Sequence, residues 1–462
     1  MVAIKIKKGL DIPIEGLPSG KEQALVLGGM ASQASSRFLA LNLEPFSCQF
    51  HLIAKEGDKV KIGDPIVEEK NCPGRCFVSP ASGVIKEIVR GEKRVIRNIV
   101  IQLDANEEYK QFSVLDPATA SYEALIERML EGGLFAKIRK RPFDLLANPK
   151  VKPRSIFVKA IESAPIIPPA ELQVSGLEKE FQAGLAALSR LTDGKVHLVH
   201  RAGTLCKAFL DAKNVERHTA EGPHPISNPS LHIQEIDPIL HVEDNVWVLT
   251  AHDVVCLGVL LSQGKIHHER VIGIGGTGIL PNKTGYFKVR DGVSMAELIS
   301  GRLIHGDLRL ISGDPLTGQQ EQPTDYLRSD DFALTVIPES EEREFLHFFR
   351  AGGSKYSFSK AYLSGHRDPS SRSYFFSTNM HGEHRAFIDS TLYDKVQPLN
   401  ISTMLLVKAV MAEDYDLAEK LGILEVVPED FALPAFVCPS KIEMPSIIAQ
   451  GQSVMVKDYL QS

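Results

Sequence analysis

The amino-acid sequence predicts a multidomain chain of mixed α/β (α+β) class. Three observations carry that prediction. Residues 56–66 and 79–101 form two strand–turn–strand halves of similar design. Between residues 156 and 250, short apolar runs alternate with helical runs. From Arg270 to Ile311 the order is strand, turn, strand, short helix, strand. Alternation of strand and helix argues for a largely parallel sheet. A chain of 462 residues has room for about three domains or more.

Taken in order, residues 1–45 hold a short strand, Ala3–Lys7, and are expected to pack on the α/β domain. Residues 46–104 come next. Gly57-Asp58 and Gly63-Asp64 supply turns between alternating apolar positions, and Ser82-Gly83 and Gly91-Glu92 repeat the device. This resembles the barrel-sandwich hybrid of biotinyl and lipoyl carriers. A carrier has a modified Lys at the tip of the hairpin joining its halves. Here the tip reads Asn71-Cys72-Pro73-Gly74-Arg75-Cys76, and Lys70 sits off the carrier spacing, so an unmodified barrel is expected.

Residues 105–256 are read as a Rossmann-like α/β domain. Tyr122–Leu130 has helical spacing and ends at Gly132-Gly133. Ile156–Ala160, Val196–His200 and Trp247–Thr250 read as buried strands, with helical runs Glu178–Leu191 and Ala202–Leu210 between them. Residues 257–330 resemble a β-grasp (SLBB-like) module. Residues 331–462 are expected to be mostly helical, with helices at Thr403–Met411 and Leu417–Leu421.

Composition excludes several classes. The net charge of −6 gives no basic face for nucleic acid. The longest apolar stretch, Val246–Leu261, is interrupted by His252 and Asp253 and is too short to span a bilayer. Any membrane contact is expected to come through partners. Six Cys in 462 residues fit a reducing compartment.

Several motifs fail on inspection. Gly273-Ile-Gly275-Gly-Thr-Gly278 has the dinucleotide spacing, but Pro281, Asn282 and a strand follow where a helix is required. A structural turn is expected there. His381-Gly-Glu-His384 has the wrong spacing for two zinc ligands one helical turn apart. His218, His224, His232 and His241 fall close together in a Pro-rich stretch, as a metal cluster or as hydrogen-bonding loop residues. His267-His268 reads as a solvated pair.

Four signatures then converge on one family. They are Ile4–Ile14, Gly222-Pro-His-Pro225 with His232 and Ile236-Asp-Pro238, His381–Arg385 with Tyr393–Leu399, and Phe436–Lys441. In order and spacing they resemble the A subunit of the bacterial Na+-translocating NADH:quinone reductase (Na+-NQR). More distant kin are the C subunit of the Rnf complex and the NADH-oxidising flavin subunit of complex I. Those kin hold flavin with a glycine-rich loop. The matching stretch here, Gly133–Phe143, has lost those glycines. Only Cys438-Pro439 remains of the cluster-binding Cys runs.

The resemblance implies a peripheral subunit on the cytoplasmic face of the inner membrane, in a translocase of six subunits (A to F). It would dock chiefly on the membrane-embedded B subunit. NADH, flavins and iron–sulfur centres would lie on other subunits, and ubiquinone is a possible substrate. The isolated chain would have no catalytic or metal-binding residue. A cofactor-free scaffold without quinone contact is the alternative.

A quinone site wants an apolar groove and donors for carbonyl oxygens. Lys137, Arg139, Lys140 and Arg141, between Phe135 and Phe143, supply charge and rings in one segment. That segment reads as a quinone contact, a docking loop or a solvated loop. Met30, Arg37 and Phe38 form a second candidate. His224 titrates near neutrality and is either a proton relay or a turn holder.

Overall fold

The structure, a computed structural model, describes residues 1–20, 22–27, 37–46, 48–340, 349–367 and 371–461. The chain opens with three strands, β1 (Ala3–Lys5), β2 (Glu22–Leu27) and β3 (Phe38–Asn42). Rather than packing together on the α/β domain, β1, β2 and β3 join three different sheets. β1 pairs with β14 (Glu216–Glu221), β2 with β17 (Gly285–Arg290) and β3 with β9 (Ile96–Leu103).

The barrel follows. Its strands are β4 (Phe50–Leu52), β5 (Lys59–Val60), β6 (Pro65–Glu69), β7 (Cys76–Val78) and β8 (Gly83–Arg90), with β9 closing the series. They form two sheets, β3-β9-β8-β5 and β4-β6-β7. Inward residues Val60, Ile66, Phe77, Ile85, Ile99 and Ile101 fill the space between them. The β6–β7 hairpin tip is pinned, not free. Arg75 is buried, pairs with Glu69 and donates to the Ala147 carbonyl of the α/β domain.

The α/β layer begins with α1 (Tyr122–Glu131), capped by Ser121, whose side chain accepts from Ala124 N–H. A 3-10 turn, Leu134–Ala136, leads to β10 (Arg139–Arg141) and β11 (Leu145–Leu146). Then come β12 (Ser155–Ala160), α2 (Ala170–Val174), α3 (Glu178–Leu191), β13 (Val196–Arg201) and α4 (Lys207–Leu210). The helix expected over Ala202–Leu210 is shortened to α4, because Ala202–Cys206 is a turn and connecting loop. After β14 come α5 (Pro229–Ile236), β15 (Val246–Thr250) and α6 (Ala251–Gln263). The seven-stranded sheet has the order β1-β14-β13-β12-β15-β10-β11. Its strands alternate between two cores, as period-two geometry requires. Ile156, Val158 and Leu198 face α1, α3 and α6; Phe157 and Val199 face α5 and the C-terminal helices.

A second, six-stranded sheet contains β16 (Glu269–Gly275), β17, β18 (Leu308–Ser312), β19 (Gln319–Glu321) and β20 (Ala333–Pro338), with α7 (Met295–Ile299) between β17 and β18. Its order is β19-β18-β20-β16-β17-β2. The Gly-rich run at 273–278 serves backbone approach. Gly276 has φ +104, and a Cβ there would lie 2.3 Å from the Val336 carbonyl oxygen. This sheet and the barrel share one continuous core. After α8 (Ser364–Arg367), helices α9 (Thr403–Met411), α10 (Tyr415–Lys420), α11 (Ala432–Val437) and α12 (Met444–Gln461) complete the chain.

Candidate functional site

A pocket of about 780 Å³ opens where the barrel, the α/β layer and the six-stranded sheet meet. Its walls are apolar: Phe46, Phe77, Val78 and Pro80 come from the barrel side, and Leu134 and Ala136 from the 3-10 turn. Its polar floor is Lys137, Cys256, His267 and Asp291. The turn that delivers Lys137 depends on Gly133, at φ +70. A Cβ there would crowd Val78 at 3.1 Å and the Cys76 carbonyl oxygen at 3.2 Å, which adds to the strain of a left-handed backbone.

Lys137 Nζ lies 3.7 Å from Cys256 Sγ. Burial opposes its charge, but its pKa is raised, the carboxylates of Asp291 and Asp253 favouring the ammonium. Burial pushes the Cys256 thiol up to about 12, so it is neutral. Asp291 is held ionised against burial by Arg270, whose Nε is 3.5 Å away. His252 Nε2 lies 3.4 Å from Cys256 Sγ, and its ring faces His267 at 5.6 Å between centroids. Burial lowers the His267 pKa to about 4, leaving it neutral. The floor therefore presents one ammonium beside the ionised Asp291 and the neutral Cys256 and His267, with donors available to a carbonyl or other acceptor oxygen.

The expected basic loop at Phe135–Phe143 is corrected to a turn and a strand inside the sheet. β10 pairs antiparallel with β15, Arg139 opposite Val248 and Arg141 opposite Val246. Phe135 is fully buried and packs edge-to-face on Trp247, 5.6 Å between centroids, so it contributes core rather than a free ring. Arg139 pairs with Asp330 and lies over the Phe46 ring at 5.6 Å, behind two pocket-lining residues. Lys140 lies over the Tyr459 ring of α12 at 5.7 Å. Arg141 is buried, donates to Ser230 Oγ at 3.2 Å and faces Asp144 at 3.2 Å. Phe143 is buried in the core shared with the C-terminal helices. Of this segment, Ala136 and Lys137 line the pocket, and Lys137 alone brings a polar group to it.

In the second candidate, Met30 lies outside the described residues. Arg37 is exposed, and its carbonyl accepts from Leu103 N–H at 2.8 Å. Phe38 is half-buried and begins β3 opposite Gln102. His224 is buried, its Nδ1 3.0 Å from Ser163 Oγ, and burial lowers its pKa to about 4. That geometry holds the turn. The other clustered histidines separate in space: His232 Nε2 bonds the Ile226 carbonyl at 2.8 Å, His241 is exposed, and His218 meets His197 instead. The supposed solvated pair His267-His268 lines the pocket and is half-buried. Sequence spacing also missed Cys256 and Asp291, which become neighbours of Lys137 only through tertiary packing.

The other place to look is the switch point of the parallel sheet, between β12 and β15, where open α/β sheets take their ligands. That crevice is about 250 Å³ and is lined by Lys159, Glu162, Thr250, His252 and Phe332. Lys159 and Glu162 pair across it at 2.8 Å.

Residues 4–104 match the family model of the NqrA N-terminal barrel-sandwich hybrid domain, and residues 120–266 that of the NqrA second alpha/beta domain. The A subunit of the Na(+)-translocating NADH-quinone reductase of Chlamydia caviae is 35% identical, covering 99% of this chain and 96% of its own length. The chain belongs to this NqrA family. The corresponding protein of Saccharophagus degradans is 33% identical, over 98% of this chain and 100% of its own. The barrel-sandwich hybrid and the α/β layer expected from the sequence are thus both present. A NAD+-reducing nickel–iron hydrogenase aligns over 74% of this chain and 62% of its own at 10% identity and TM-score 0.39, and carries no functional argument. Among the described residues, no helix is long and apolar enough to cross a membrane.

Proposed function

We propose that this chain is a peripheral subunit of a Na+-translocating NADH:ubiquinone oxidoreductase and that the pocket over Lys137 contributes to its quinone-reducing site. The observation that carries the reading is the pocket itself: apolar walls over a floor that holds one ammonium, beside Cys256 and Asp291. A quinone ring suits such walls, and Lys137 would donate to one carbonyl oxygen. The chain would sit on the cytoplasmic face of the inner membrane, docked on the membrane-embedded B subunit. Flavins, NADH and iron–sulfur centres would belong to other subunits. Two features support that division of labour. The switch-point crevice is lined by the chain's own Lys159–Glu162 ion pair. The barrel tip is pinned by Arg75 where a carrier would swing.

The test is calorimetric titration of the purified chain with a short-tailed ubiquinone, beside Lys137→Met. A hydrogen bond from a charged donor is worth about 1.5–3 kcal/mol, so the variant should bind about 10- to 100-fold more weakly. Equal affinity for both chains would overturn the assignment of Lys137. If neither chain binds, yet the complex needs the chain for NADH-driven quinone reduction, the scaffold reading takes its place.

A further inference from the structure

Outside the pocket, three side chains meet at the start of two neighbouring strands. β13 and β14 run parallel with His197 opposite Glu216 and Val199 opposite His218. Registered residues share a face, and so do residues two apart. His197, Glu216 and His218 therefore project together. One donor atom from each lies within 4.8 Å of the others. His197 Nδ1 is 3.1 Å from His218 Nε2 and 3.8 Å from Glu216 Oε2.

We infer that His197, Glu216 and His218 form a binding site for a divalent transition-metal ion of the zinc class. The donor set is two imidazoles and one carboxylate, which suits Zn2+ with water in a fourth position. Metal–nitrogen bonds of about 2.0–2.1 Å place tetrahedral ligand atoms roughly 3.3 Å apart. The two nitrogens already stand near that separation, and a small swing of the half-exposed carboxylate completes the set.

The surroundings prepare both rings. Each His is buried, and burial lowers both pKa values, that of His218 to about 4. The His197 ring packs against Phe157 at 4.7 Å between centroids, which fixes its plane. Glu216 also pairs with Lys195 Nζ at 2.9 Å, an exposed contact that yields readily.

One hydrogen bond competes. Val2 N–H donates to His218 Nδ1 at 3.0 Å. His218 therefore carries its proton on Nε2 and shares it with His197 Nδ1. The ion takes the place of that shared proton, which moves to His218 Nδ1 so that the ring stays a neutral ligand. Val2 N–H must then turn away from the ring. Metal occupancy is coupled in this way to the docking of β1, whose strand begins at the next residue.

The test uses the full untagged chain after chelator treatment. Co2+ titration should give visible bands saturating at one ion per chain, and Zn2+ should displace them. Zn2+ should also raise the melting temperature above that in chelator. His197→Gln and His218→Gln should each abolish both effects. Should either variant fail to fold, Glu216→Gln keeps both rings and should still weaken Co2+ binding. His224→Gln, outside the cluster, should bind like the parent chain. The inference is overturned if the parent chain holds no ion at micromolar free Zn2+, or if the ion it holds is retained by all three cluster variants.

Discussion

Arg141 shows how far a residue's role can lie from its appearance. In the sequence it ends a basic run that reads as a quinone contact, a docking loop or a solvated loop. In the fold it is 5% exposed, held by Ser230 and Asp144. Arg141→Leu should cost about 3 kcal/mol, because the groups around it lose their compensating charge. Arg141→Lys should recover less than half of that, since an ammonium cannot reproduce the planar fork. Urea unfolding followed by circular dichroism measures both. The buried histidines give a pH signature with a definite sign. His224 and His232 have folded-state pKa values lowered to about 4 by burial, against 6.5 for the free side chain. The unfolded chain therefore takes up protons first as pH falls. Stability is complete above about pH 6.5 and drains as pH drops toward 4. Each residue contributes roughly 3 kcal/mol to that slope. Unfolding curves at several pH values should flatten in His224→Gln/His232→Gln. At this scale the sequence was a poor guide. Local spacing marks Lys137 and Arg139 as alike, yet one lines a pocket and the other finds Asp330, 191 positions away.

At the scale of elements, much was legible. The strand Trp247–Thr250 and the helices Glu178–Leu191 and Thr403–Met411 announce themselves through periodicity. The same reading found the strand in the apolar run Val246–Leu261 but not the helix that follows it, because burial on all sides erases the period. The structure splits it at Thr250 and Asp253, which form a capping box for α6. α6 then crosses α3 at two glycines. A Cβ on Gly258 would lie 1.7 Å from the Glu180 carbonyl oxygen, and one on Gly184 2.2 Å from that of Val254. Gly258→Ala should therefore destabilise by about 3 kcal/mol despite its better helix propensity, since backbone must move to admit the methyl. The counter-control is Gly176→Ala. No atom lies within 4 Å of a Cβ there, so its cost is backbone strain at φ +80 alone. Thermal melts of the two variants should separate crowding from strain. β10 escaped the sequence because three charged residues do not look like a strand. It is one because its partners supply the missing contacts: β15 through the ladder, Asp330 and Tyr459 through the side chains.

For the whole molecule, the question is what makes several sheets behave as one body. Arg75 is a principal link, joining the barrel tip to the Ala147 carbonyl. Removing it with Arg75→Ala leaves Glu69 buried without its partner and frees the tip. The expected outcome is a calorimetric scan in which one transition becomes two, with the barrel melting first. A single transition in the variant would mean that the shared core with the six-stranded sheet suffices. The sequence revealed the barrel halves and hid this link, because a tip contact depends on residues 72 positions apart.

The threading of the first three strands sets an order of assembly during synthesis. β3 finds β9 after some sixty residues, so the barrel can close early. β1 must wait for β14, and β2 for β17. At about 5–20 residues per second, the wait for β14 is ~10–40 s. Through that interval two strand edges are made but unmatched, the condition under which nascent chains pair wrongly. β1 and β2 leave the ribosome well before their partners and are thus among the last elements to be secured. Factors that shield emerging chains should matter more for the yield of this protein than for its final stability.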